Sequence, residues 1–173
     1  MVKLLSAQNE VENYKGSSYN LFLAFEPSCL TFIGNTEVIN KHFSAIAKLG
    51  TCDTYTDDTQ SYLRQSIGGG AGMAVYLNSV YRDSLFLAST LNIERVWIHD
   101  VVQDIIADSN TFKIDMGIGY QIHFKRGYII SAGIYYTYIK PINYNETSNS
   151  ALNKEVSTVQ QLFKPTLLIG WRF

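Results

Sequence analysis

The chain has 173 residues, a formal net charge of −1 and two cysteines. That length points to one domain, the charge offers no basic footprint for nucleic acid, and two cysteines exclude a multi-disulfide framework. Charged residues make up 17% and aromatics 13%, against roughly 25% charged in an average soluble domain. No apolar run approaches the ~20 residues of a transmembrane helix. A membrane-spanning chain of this composition therefore has to be a closed sheet, because hydrocarbon satisfies no free backbone N–H or C=O group.

Residues 1–16 read as an N-terminal tail, followed by a single domain over 17–173. Met1-Val-Lys-Leu-Leu-Ser-Ala-Gln lacks the hydrophobic core of a signal peptide, so an exported chain is expected to be a mature form with an initiator Met. Tyr19, Leu21, Leu23 and Phe25 alternate with other residues; Glu26-Pro27-Ser28 breaks the run and Cys29–Asn35 resumes it. A strand has a side-chain period of two, so this is either two short strands or one long strand over 18–34. Residues 41–52 set Phe43, Ala45, Ala47 and Leu49 against His42, Ser44 and Lys48. A polar loop is expected over 53–65.

Residues 66–77 put Ile67, Met73, Val75 and Leu77 on one side, with glycines concentrated on the other. Glycine weakens isolated strands, so this marks a bend or crowding by interior side chains. After a short turn at 78–83, residues 84–98 carry Leu85, Leu87, Leu91 and Ile93 on one face and Ala88, Thr90, Asn92 and Glu94 on the other. A second polar loop is expected over 99–110.

The cleanest alternation lies in 112–124. Phe112, Ile114, Met116, Ile118, Tyr120, Ile122 and Phe124 oppose Lys113, Asp115, Gly117, Gly119, Gln121 and His123. A tight hairpin at Phe124-Lys125-Arg126-Gly127-Tyr128 follows, with glycine supplying positive φ. The strand 128–140 leads into a third polar loop, 141–162. Helical spacing is an alternative for Val38–Ile46, for Val101–Ile106 and for Leu152–Phe163.

The last strand has Phe163, Pro165, Leu167, Ile169, Trp171 and Phe173 on one face and Lys164, Thr166, Leu168, Gly170 and Arg172 on the other. Eleven residues at roughly 3.3 Å each, tilted about 45°, rise about 25 Å, the apolar height of a transmembrane barrel. In a soluble barrel the outer face is dense in Lys and Glu. Here the apolar faces are nearly pure, and the opposite faces carry glycine with isolated charges. The expectation is an all-β, antiparallel up-and-down transmembrane β-barrel, with eight strands and both termini on the periplasmic side.

With that parity Lys48, Glu94, Lys113, Asp115, Gln121, His123, Lys164 and Arg172 face the lumen. The reverse parity would set several charges against lipid at roughly 2–4 kcal/mol each. Glu94 and Asp115 are expected to pair with Lys48, Lys113 or Arg172 in a plugged interior; the alternative is a narrow conduit whose ion pairs exchange. Cys29 and Cys52 fall near one outer rim, where they form either one bridge or two buried thiols.

With these strands laid out, residues 18–173 resemble the small eight-stranded outer-membrane barrels of the OmpA-like, opacity-protein type. The resemblance implies a bacterial outer-membrane location, with outer-membrane lipids and the barrel-assembly machinery as partners. Its most specific element is the C-terminal run, where Thr166, Trp171 and Phe173 match the assembly signal of such barrels and Leu168 stands where glycine is usual. Lipid A deacylases of this size carry His and Ser on one strand face near the outer leaflet; His123 lies at the opposite end with no such Ser. His42, His99 and His123 are scattered, and catalysis needs a nucleophile, base and orienting group within reach. No catalytic residue, cofactor or metal ligand is assigned. The expected role is structural or surface recognition (adhesion) through loops 53–65, 99–110 and 141–162. The alternatives are a lipid-modifying enzyme and a soluble carrier of an apolar ligand.

Overall fold

Alternating faces leave each strand with one side that must avoid water and one that must meet polar groups, and closing the sheet on itself also removes its edges. The structure, a computed structural model, describes residues 19–26, 29–38, 40–55, 62–148 and 150–173. The N-terminal tail expected over 1–16 lies outside them. The described residues hold eight strands: β1 (Tyr19–Glu26), β2 (Cys29–Glu37), β3 (Phe43–Tyr55), β4 (Tyr62–Tyr76), β5 (Ser84–Asp100), β6 (Ile105–His123), β7 (Tyr128–Tyr144) and β8 (Gln160–Arg172). Each pairs antiparallel with its neighbours, and β1 pairs with β8 to close the barrel. The first residues thus form two strands rather than one.

The ring is strongly sheared. From Phe25 the register runs through Leu30, Thr51, Ile67, Arg95 and Asn110 to Asn143 on β7. In the other direction Phe25 meets Leu167 and then Ala132 on the same strand. That stagger is the tilt which lets a small barrel close.

Side-chain exposure follows the expected parity. Leu49, Ile67, Met73, Leu87, Leu91, Ile93, Met116, Ile118, Ile134, Leu167 and Ile169 are exposed on the outside, while Asn20, Ser44, Thr90, Asn92, Asp115, Gln121, Ser131 and Thr137 are buried within. The outward Arg95, opposite Asn110, marks the upper end of the apolar band on β5. The inward glycines of β4 answer a close approach of backbone. A Cβ on Gly70 would fall 2.1 Å from the Leu91 carbonyl oxygen, and one on Gly72 2.0 Å from that of Ser89.

Three expected loops change. Residues 99–110 are not a loop: β5 continues to Asp100, a turn occupies 101–104, and β6 begins at Ile105. The polarity there comes from a hairpin that rises above the apolar band: Arg95 and Asn110 lie on its exposed outer face, while Asp100, Ser109 and Thr111 are buried on its inner face. Of 53–65, residues 53–55 and 62–65 belong to β3 and β4, and 56–61 lie outside the described residues. Of 141–162, β7 takes residues to Tyr144, a helix α1 spans Ser150–Ser157, and β8 starts at Gln160. Helical spacing is realised there and not at Val101–Ile106. The stretch from Val38 passes through a turn into β3.

Both ends of the barrel are furnished. At the hairpin end, the turn after β4 folds inward, burying Val80 completely with Tyr76, Phe86 and Ala88. Its carbonyls are bound from the wall: Gln121 Nε2 donates to Val80 O at 3.0 Å, and an Arg172 guanidinium nitrogen to Tyr81 O at 3.2 Å. At the opposite mouth α1 buries Leu152 against Val96, Ile98 and Ala107, the inner face of the risen β5–β6 hairpin. Asn153 latches that segment by donating to the Thr147 carbonyl and accepting from the Thr147 amide. The β6–β7 hairpin turns through Arg126 (φ 70°) and Gly127 (φ 87°), the left-handed backbone that glycine favours.

Candidate functional site: the polar belt of the lumen

Asp115 sits midway down β6 with its carboxylate buried, and the wall around it is built to hold the charge. Lys48 Nζ reaches across from β3 and donates to Asp115 Oδ2 at 2.8 Å. Asn92 Nδ2 donates to the same oxygen at 3.0 Å, and Thr137 Oγ1 to Oδ1 at 2.8 Å. Thr90 completes the shell at 3.3 Å. One position pair further up, Lys113 Nζ donates to Glu94 Oε1 at 2.9 Å. Burying a carboxylate is costly unless its lone pairs are filled, and this shell fills them.

Of the residues the sequence assigned to the lumen, Lys48, Asp115, Lys113 and Glu94 come together as two ion pairs. Lys164 lines the same cavity, together with Thr166 from β8. Gln121 and Arg172 do not join the pairs; they hold the inturned floor. His123 Nε2 accepts from Gln121 at 2.9 Å, a contact within one rim. Thr90, Asn92 and Thr137 were not singled out from the sequence as Asp115 partners. Their inward parity was visible, but their convergence on one carboxylate depends on the register of four strands.

The register sets Cys29 opposite Cys52, and Cys52 is disulfide-bonded; the chain contains no other cysteine besides these two. Of the assembly-signal residues, Thr166 faces the cavity, Trp171 packs edge-on against Tyr128 at 4.0 Å between centroids, and Phe173 is exposed. His42 Nδ1 lies 3.1 Å from the Tyr76 carbonyl and His99 Nε2 2.9 Å from Asp104. Among the described residues no three His, Cys, Asp or Glu side chains converge to hold a metal.

Above the apolar band, Asp108 of β6 ties β5 to the segment that follows β7. It accepts hydrogen bonds from Asn145 beyond β7 and from Arg95 of β5, the latter at 3.0 Å. First the Asn145 hydrogen bond, then that of Arg95, hold its carboxyl below the usual carboxylate range. Arg95 also lies 5.4 Å from the Trp97 ring centre.

No family model matches the sequence, and no curated protein matches it. Solved structures do. A major outer membrane protein of Thermus thermophilus superposes with a TM-score of 0.60 at 10% identity, over 91% of this chain and 100% of that one. The fold is that of the small outer-membrane β-barrels. Neisserial surface protein A matches at TM-score 0.52 and 14% identity, over 90% of this chain and 92% of its own. The attachment invasion locus protein of Yersinia pestis matches at 0.50 and 12%, over 91% and 97%. In this chain the closed sheet turns its apolar side chains outward and keeps the polar belt inside.

Proposed function

We propose that this chain is an integral barrel of a bacterial outer membrane with a structural or surface-recognition role, and that it performs no catalysis. The observation that carries the reading is the distribution of polarity. The described exterior is a band of Leu, Ile, Met and Phe, and the charges it would have to hide are paired inside. That arrangement suits a bilayer and disfavours a soluble carrier, whose exterior would be wet. Above the band the long β5–β6 hairpin and α1 form a rigid platform of the kind on which recognition surfaces are built. One of the matched structures is an attachment invasion locus protein, which fits that role. A lipid-modifying enzyme is not favoured, since each histidine is engaged away from the others.

Assembly is tested by refolding into detergent and comparing gel migration with and without boiling. A faster unboiled band is the expected outcome; a single unshifted band with protein soluble in plain buffer would overturn the membrane reading. The recognition role is tested by displaying the chain on cells and measuring adherence to immobilised matrix and serum proteins. Replacing residues 145–158 by a Gly-Ser segment should reduce that adherence while the gel shift persists. Equal adherence with both chains, or none with either, would leave a structural role alone.

A further inference from the structure

The formal charge of −1 conceals a division along the barrel axis. At the hairpin end Lys41, Arg82, Lys125, Arg126 and Arg172 stand against two carboxylates, Glu37 and Asp83. At the opposite mouth the described carboxylates (Glu26, Asp53, Asp100, Asp104, Asp108, Glu146 and Glu155) outnumber the cations (Arg64, Arg95, Lys140 and Lys154). The belt between them sets Lys48, Lys113 and Lys164 against Glu94 and Asp115. Residues 1–18 contribute two lysines and two glutamates, which leaves this division unchanged wherever they lie.

The hairpin-end cations are spread around the ring. Each turn there carries at least one exposed cation: Lys41 between β2 and β3, Arg82 between β4 and β5, and Lys125 with Arg126 between β6 and β7. These turns are tied to their neighbours. The Val80 amide donates to the Lys41 carbonyl at 2.8 Å, and the His123 amide to Asp83 Oδ1 at 2.7 Å, which occupies one carboxylate oxygen of this end. Arg126 supplies a separate observation. Its φ of 70° is left-handed, a backbone that hairpin turns give to Gly, Asn or Asp and that is strained for a long side chain. Arginine in that conformation points to a use for the side chain.

Height decides what this ring meets. Leu77, Leu85, Phe124 and Tyr128 are outward and exposed, and Trp171 packs edge-on against Tyr128. Aromatic rings at the edge of an apolar band sit at headgroup level. The cation-bearing turns begin immediately beyond these side chains, so their charges lie at the depth of a leaflet's phosphates. One local patch would suit a protein partner; a cation on every turn suits a surrounding annulus of lipid.

We propose, on the membrane reading above, that the hairpin end is a docking ring for anionic phospholipid headgroups, held by Lys41, Arg82, Lys125 and Arg126 at the base of the apolar band. A Lys or Arg near an anionic lipid surface favours it roughly fivefold, and salt screens the attraction.

Trp171 is the reporter, because a Cβ on Gly127, next to Arg126, would lie 3.2 Å from the Trp171 indole nitrogen. The chain has two tryptophans, so the full chain carrying Trp97→Phe keeps that indole alone. It is reconstituted in phosphatidylcholine vesicles holding a minor fraction of phosphatidylglycerol, with one lipid or the other brominated so that it quenches indole on contact. Gel migration with and without boiling checks the barrel in each sample; a missing shift would overturn the membrane reading and the docking ring with it. With the shift present, quenching should show phosphatidylglycerol enriched about fivefold beside Trp171 at low salt, and the enrichment should shrink in high salt. Lys125→Gln with Arg126→Gly, which also relieves the left-handed backbone, should bring the two lipids to parity. A preference that survives this neutralisation would overturn the proposal. So would equal quenching by both lipids beside the unaltered turn, an outcome that would leave the ring to an anionic partner outside the bilayer.

Discussion

Asp115 shows what a buried charge requires. Four side chains from three other strands reach its two oxygens, and the gain over water exists only while the set is complete. Removing one partner of a buried pair strands the other, at about 3–5 kcal/mol for fully enclosed pairs. Lys48 keeps 20% of its side chain exposed, so Asp115→Ala is expected at the low end, about 3 kcal/mol, as a drop in the urea midpoint for unfolding from vesicles. Asp115→Ala with Lys48→Met together should recover most of that loss. A double variant no better than the single one would show that the ion pair is not what Asp115 supplies. The belt was only half legible in the sequence. Period-two alternation fixes which way a side chain points, so Lys48 and Asp115 were assigned to the lumen without any structure. Which charges meet is a property of register, and Lys48 finds its partner on a strand three places round the ring.

At the scale of elements, polarity misled where it coincided with pleat. Asp100, Asp108, Ser109, Asn110 and Thr111 look like a loop because both faces carry polar groups, but above the apolar band the outer face needs no apolar side chains, and Asp100, Ser109 and Thr111 are buried on the inner one. The β5–β6 hairpin therefore runs on past the point where alternation fades. Its tie to the segment after β7 is Asp108, whose carboxyl is held below its ordinary value by Asn145 and Arg95. A depressed carboxyl contributes stability that is full above the unfolded value near pH 4 and is lost as pH falls through the lower folded one. Because the tie is exposed, the contribution should stay within about 0.2–1 kcal/mol. Hydrogen exchange at the 105–110 amides should accelerate below pH 4 in the native chain, and Asp108→Asn should flatten that response. An unchanged pH profile in the variant would remove Asp108 from the account. The helix α1 was legible as one of two alternatives, since Leu152 lies at helical spacing, but what it packs on was not.

For the whole molecule the decisive quantity is where the apolar band begins and ends. Ile118 and Ile106 are both outward on β6, 54% and 59% exposed, yet the first lies opposite Leu87 and Ile134 while the second lies opposite His99, beyond Arg95. Arginine at the bilayer midplane of such barrels costs about 2–4 kcal/mol and falls towards zero near the interface. Ile118→Arg should therefore lower the yield of heat-modifiable barrel sharply, whereas Ile106→Arg should leave it almost unchanged. Equal effects would mean that the band has been placed wrongly. The seam between β1 and β8 carries a consequence in time. Nearly the whole chain separates Asn20 from Arg172, which face each other across it. Closure thus bears the largest loop entropy of any contact in the ring and has to wait for the final residues to arrive. Until β1 meets β8 every intermediate presents two naked edges, each a template for pairing with another chain.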